Sequence, residues 1–290
     1  MMVEMSCPIF EAGNAMGEAF GIVISGAALG VMLCEVTDPD AVNAGVEMFM
    51  VELEDVIAAL TQFDSVSDEE KMAGVTTYGP LANHEGCVGV QVSEDDLKRM
   101  SELVTLHAEN TDYLVLAGSL PPGCPADYYR TLIQSVEGLG CRCILDADGD
   151  RMRYGLEAKP FMIKPNRYEL EMITGQELKT LKDIRDAALK YIDMGVSVVA
   201  VSLGAEGAMI TDGSDAFFAP RLNIEVKSTV GAGDSMVAGL ACGFIGDNSL
   251  EDCFRMGVAS ATARCVTEGN RVIDKTVYKA LLDMVHLERI

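Results

Sequence analysis

From Ser93 to the carboxyl terminus, amphipathic stretches alternate with short runs of apolar residues. A chain patterned this way buries the runs as strands and lays one stripe of each helix over them. The alternation therefore predicts an α/β fold, a mostly parallel sheet with helices on both faces. Residues 93–109 (SEDDLKRMSELVTLHAE) open with a Ser cap and acids in the first turn, the start expected of a helix, and 113–118 (YLVLAG) read as a buried strand. A second helix is expected over 125–139, a second strand over 141–146 (CRCILD), and a third over 161–164 (FMIK) after a short helical or looped segment. A helix begins at Arg167 and reaches Thr174, and 181–194 is amphipathic again. Residues 197–204 (SVVAVSLG) form a strand ending in glycine, AMIT and AFFAP the arms of a small hairpin. The stretches 236–245, 250–266 and 275–286, apolar at helical spacing, close the chain.

The first 88 residues do not follow this pattern. Residues 51–62 are compatible with a helix. The most apolar stretch, 20–34 (FGIVISGAALGVMLC), carries three glycines and is shorter than the roughly 20 residues needed to cross a bilayer, so a buried segment is expected. The chain opens MMVEMSCPIFEAG, with two acids and no cation, unlike a secretory leader, and a cytoplasmic protein is expected. The chain thus reads as an atypical part, 1–88, and a regular α/β part, 89–290, within one structural domain.

Charge narrows the partners. With 22 Lys and Arg against 45 Asp and Glu, the formal charge is −23, which opposes binding to nucleic-acid backbones and to anionic membranes. Residues 1–85 hold 15 acids and one base, Lys71. A phosphate site in such a protein must build its own positive potential. The nine cysteines are odd in number and scattered, unlike a disulfide framework; Cys141 and Cys143 lack the second pair of a zinc site, and packing is expected for them. His84, His107 and His286 form no triad pattern, and the 17 methionines sit among apolar neighbours as core filling.

The chemistry concentrates in 226–239, VKSTVGAGDSMVAG: a polar strand end, a turn of small residues, then an apolar helix. Gly231, Ala232 and Gly233 let backbone N–H groups approach a phosphate, and the positive end of the helix points at the same place. A carboxylate there would compete with the phosphate unless it accepts a proton from an attacking hydroxyl, and Asp234 fits that task. The same residues are also compatible with a plain turn and a capped helix.

STVGAGDSMVAG resembles the carboxyl-terminal signature of the ribokinase-like carbohydrate kinases, the PfkB family. IKPNRYELEMITG, AGSLPPG and VSLGAEGA are similar to three further motifs of that family in the same order. The wording is most similar to the branch that phosphorylates hexose monophosphates, the 1-phosphofructokinases and tagatose-6-phosphate kinases. The resemblance implies a three-layer α/β/α fold, ATP as co-substrate, Mg²⁺, a small-molecule sugar or sugar phosphate as acceptor, no nucleic-acid or membrane partner, and a homodimer as assembly. It further implies Asp234 as catalytic base and the amides of Gly231, Ala232, Gly233 and Asp234 as an anion hole. Lys164, Asn166, Glu169, Ser202, Gly204, Gly207 and Thr229 would line the nucleotide, Glu169 reaching magnesium through water, while Gly118 and Ser119 would touch the substrate.

The family's amino-terminal sugar-binding Asp, its Gly-Gly-Lys-Gly-x-Asn-like segment and its lid Thr-Arg pair are not found. A substrate phosphate would then fall to Arg130, Arg151, Arg153 or Lys227. Two other readings follow from the same gap: a kinase for an unphosphorylated sugar or nucleoside, and a nucleotide-binding paralogue without catalysis.

Overall fold

The computed structural model describes the backbone of 21–25, 30–35 and 47–50, and residues 92–121, 123–268 and 273–290. The helix expected at 51–62 lies outside these residues. Two strands are described along the apolar stretch, β1 (Gly21–Ser25) and β2 (Gly30–Glu35), paired antiparallel with Val23 opposite Met32. A third short strand, β3, covers Glu47–Met50.

The chain divides into two compact units, with residues 92–158 in one and 159–290 in the other. In the first, β4 (Tyr113–Ala117) runs parallel to β1 on one side and to β5 (Arg142–Asp146) on the other. All five residues of β4 are buried, as the unbroken apolar run requires. Helix α1 (Glu94–Ala108) starts as its sequence dictates: Ser93 Oγ accepts from the Asp96 amide at 3.2 Å and Asp96 returns a bond to the Ser93 amide at 2.9 Å. Helix α2 is shorter than expected, Tyr128–Ser135, because Pro125 opens a turn rather than a helix and left-handed glycines, Gly138 and Gly140, follow it. The stretch between the second and third strands forms α3 (Gly149–Glu157).

In the second unit, β6 (Met162–Ile163) lies parallel to β7 (Val198–Ser202), which continues antiparallel into β8 (Gly207–Thr211) and β9 (Ala216–Pro220), the expected hairpin. Helices α4 (Arg167–Thr174) and α5 (Leu181–Asp193) connect β6 to β7. A final strand that the sequence pattern does not signal, β10 (Glu288–Arg289), pairs with β9.

Helices α6 (Ala232–Ile245) and α7 (Leu250–Val266) pack almost backbone to backbone. A Cβ on Gly239 would meet Ser260 Oγ at 2.5 Å and the Met256 carbonyl at 2.7 Å, and one on Gly243 would meet Cys253 Cα at 2.7 Å. Neither contact can give way without moving a helix. Gly239→Ala is accordingly expected to cost about 1–3 kcal/mol of stability, the usual penalty of overpacking, measurable by denaturant unfolding; an unchanged midpoint would mean the helices are free to separate. Helix α8 (Lys275–Met284), capped by Asp274, completes the unit.

Candidate active site

All the residues assigned from sequence to nucleotide and catalysis fall in the unit of 159–290. Strand β6 delivers Lys164, Pro165 and Asn166 to the head of α4. Asn166 Oδ1 accepts from the Glu169 amide at 2.9 Å, and Glu169 Oε2 accepts from the Asn166 amide at 2.8 Å. This reciprocal box is the local reason the helix starts there. It leaves Asn166 Nδ2 and Glu169 Oε1 without a partner among the described residues. Asn166 bridges to Ser202, whose amide donates to the Pro165 carbonyl at 3.1 Å, so the carboxyl ends of β6 and β7 lie side by side. This is the edge at which open α/β sheets hold ligands.

Past Ser202 the chain turns through Gly204 (φ 58°) and Gly207 (φ 120°). A Cβ at position 207 would land on the Ala219 carbonyl, so the turn admits only glycine. Arg167, on α4, reaches this turn and donates to both carboxylate oxygens of Glu206 at 2.8 and 2.7 Å. Those bonds hold the Glu206 carboxyl below its ordinary value.

The glycine turn sits at the head of α6. Gly231, at φ 78°, is the cap residue, and no side chain caps the helix. Asp234 is the third helical residue and is exposed. The plain reading of Asp234 as a cap therefore fails, because that position belongs to Gly231. The Ala232 amide donates to the Thr229 carbonyl at 3.2 Å, whereas the amides of Gly233 and Asp234 make no hydrogen bond among the described residues. Two N–H groups and the positive end of a helix thus converge beside a carboxylate.

The turn is richer in cations than its sequence suggests. Lys164 is 5% exposed, and its Nζ lies 3.3 Å from where a Cβ on Gly233 would stand. The missing side chain at 233 lets a buried ammonium reach the turn, so Lys164 is no ordinary surface partner of Glu169. Arg264, on α7, is 3% exposed and donates through Nε to the Val230 carbonyl at 3.0 Å. Sequence reasoning missed it. Its one signal is a lone guanidinium in an otherwise small and apolar helical run, SATARCV. The Lys227 and Ser228 amides both donate to the Cys265 carbonyl, at 2.8 and 3.2 Å, and Lys227 pairs with Glu268 at 3.4 Å. The end of α7 therefore grips the whole segment that enters the turn.

Gly118 and Ser119 belong to the other unit, exposed at the end of β4. Gly118, at φ 83°, donates to the Asp146 carbonyl at 2.9 Å, and the buried Tyr129 hydroxyl donates to the Ala117 carbonyl at 2.8 Å, fixing that strand end. The cations named for a substrate phosphate are all engaged. Arg130 pairs with Asp127 and, at 2.6 Å, with Glu157; Arg151 pairs with Asp148, and Arg153 with Asp150 at 3.1 Å. With Lys227 on Glu268, none of the four offers a net positive charge. Cys143 is buried, and burial pushes the Cys141 thiol up to about 12, far from a reactive thiolate.

This arrangement has relatives. The model of the pfkB family of carbohydrate kinases matches residues 88–275. The chain belongs to that family. Over 205 residues it is 34% identical to the 1-phosphofructokinase of Vibrio cholerae, a match that covers 68% of this chain and 64% of that protein. The crystal structure of phosphofructokinase-2 from Escherichia coli in complex with substrates and products is 32% identical, with a TM-score of 0.64, and covers 68% of this chain and 64% of that one. A putative phosphofructokinase from Staphylococcus aureus, 22% identical, superposes over 95% of this chain and 97% of its own with a TM-score of 0.66, a likeness of fold. The chain thus matches less than two thirds of the length of its curated relative. The fold is the family's ribokinase-like α/β arrangement, as the motif order implied. Among the described residues no helix is long and apolar enough to cross a membrane.

Proposed function

We propose that this chain is an ATP-dependent phosphotransferase that phosphorylates a hydroxyl of a hexose phosphate, in the manner of a 1-phosphofructokinase. One observation carries the reading: two amides with no hydrogen bond among the described residues, at a glycine-capped helix start, share a turn with a buried lysine and an exposed carboxylate. The amides and Lys164 stabilise charge on the transferring phosphoryl, and Asp234 takes the proton of the attacking hydroxyl, so catalysis is positioning plus electrostatics. Asn166, Ser202, Gly204, Gly207 and Thr229 line the nucleotide. Gly118 and Ser119 line the sugar, a role that rests on the AGSLPPG motif. The regular part, 89–290, carries this chemistry, and the assembly is a cytoplasmic homodimer.

Magnesium fits the donor set. A hard ion that keeps several waters needs one carboxylate and the nucleotide's own oxygens, and Glu169 Oε1 supplies such a carboxylate outside its capping bond. When bound, the ion neutralises phosphate charge. Glu169→Gln separates this role from capping, since glutamine also closes a capping box. The expected outcome is an unchanged melting temperature with about a tenfold higher magnesium requirement, in line with the loss of a partner outside the ion's direct ligands; an unaltered magnesium titration removes Glu169 from the metal site.

A second reading, a kinase for an unphosphorylated sugar or nucleoside, is favoured by the neutralised state of Arg130, Arg151, Arg153 and Lys227. Surface ion pairs are weak, about 0–1 kcal/mol, so a substrate phosphate can still displace their acids. An ADP-release assay across fructose 1-phosphate, tagatose 6-phosphate, fructose 6-phosphate, ribose and adenosine tests both. Turnover with a ketose phosphate supports the first reading, and turnover confined to ribose or adenosine the second. ATP binding without ADP release from any of them leaves a non-catalytic nucleotide-binding protein.

A further inference from the structure

We infer that Arg264 is a positioning residue for the anion hole: by holding the Val230 carbonyl it aims the Gly231 amide into the phosphoryl site. The inference deepens the proposed kinase reading and rests on it. A guanidinium is costly to bury, yet Arg264 is 3% exposed in the last turn of α7. Its Nε donates to Val230 O at 3.0 Å, and its Nε and Cδ stand 3.3 and 3.7 Å from where a Cβ on Gly231 would be. Arg264 thus fills the space vacated by the side chain of the cap residue.

In a trans peptide the C=O and N–H point in opposite directions across one rigid plane. The Val230 carbonyl and the Gly231 amide belong to the same plane, so fixing the oxygen on Arg264 turns the amide the other way. Gly231, at φ 78°, sits at a joint where the plane could otherwise rotate. The positive charge at the oxygen also polarises the peptide and makes its N–H a stronger donor. The same helix anchors the turn one residue on, through the Cys265 carbonyl. Arg264 therefore contributes where the transferring phosphoryl develops charge, and little to holding ADP.

The test compares wild type with Arg264→Met, Arg264→Gln and Arg264→Lys, full length. Calorimetry gives the affinity for magnesium–ADP alone and with aluminium fluoride, a mimic of the phosphoryl in transfer; steady-state kinetics and melting temperature accompany it. The expected result is ADP affinity within about twofold of wild type, while the gain brought by aluminium fluoride and kcat both fall about ten- to a hundredfold in Arg264→Met, with KM for ATP nearly constant. Arg264→Lys, which keeps the charge, recovers part of both. A folded Arg264→Met with the full gain and full kcat overturns the inference. Should Arg264→Met not fold, Gln and Lys decide: reduced gain supports the inference, full gain in both refutes it. If wild type binds ADP but gains nothing from aluminium fluoride, the phosphoryl-site reading itself fails and takes the inference with it, a result distinct from a wild-type gain that survives every substitution.

Discussion

Asp234→Asn is expected to lower turnover by about 10² to 10⁴, the usual contribution of a positioned general base, with KM for ATP nearly unchanged. The substitution keeps the shape of the side chain and removes its negative charge and with it its basicity. Asp234 makes no capping bond, so the cost to the folded state is limited to the helix-dipole stabilisation of a first-turn carboxylate, about 0.3–1 kcal/mol. A melting temperature close to wild type would separate lost chemistry from lost structure. Wild-type turnover in this variant would leave the carboxylate no part in the reaction, and the turn would be only a binding site.

Lys164→Met is expected to reduce kcat/KM for ATP by about 10² to 10³, the scale found when one preorganised donor to a developing charge is removed. Methionine fills the same narrow volume behind Gly233, but Lys164 is buried, and removing one partner of a buried charged contact commonly costs about 3–5 kcal/mol. A lower melting temperature is therefore expected as well, and kcat/KM is compared at a temperature where both proteins are folded. Unchanged kcat/KM under those conditions would assign Lys164 to packing alone.

Much of this was legible in the chain itself. The boundaries of α1, α4, α5 and α7 agree within a residue with expectation, because each begins with a side-chain cap, Ser93, Asn166, Thr180 or Ser249, whose signal is local. Helix α2 was misjudged because Pro125 suits either a first helical turn or the turn before it. The glycine turn and Asp234 were readable since small residues before an apolar helix have few other uses. The cations around that turn were not. Lys164 lies 69 positions before Gly233, and Arg264 comes from the following helix, so only tertiary packing brings them together. The salt bridges that neutralise Arg130, Arg151 and Arg153 are nearer in sequence, yet an i,i+3 pair on a helix is compatible with either sign of usefulness.

The crossing of α6 and α7 has a mechanical corollary. With glycine faces in direct apposition there is no compliant layer of side chains to absorb a displacement. The amide cradle at the front of one helix and the guanidinium strut near the back of the other must travel as a single lever. Shrinking residue 260 would still leave the Met256 carbonyl 2.7 Å from a new Cβ at 239, so bulk gained there demands that both helices shift together, and a tilt of one carries the turn held by the other.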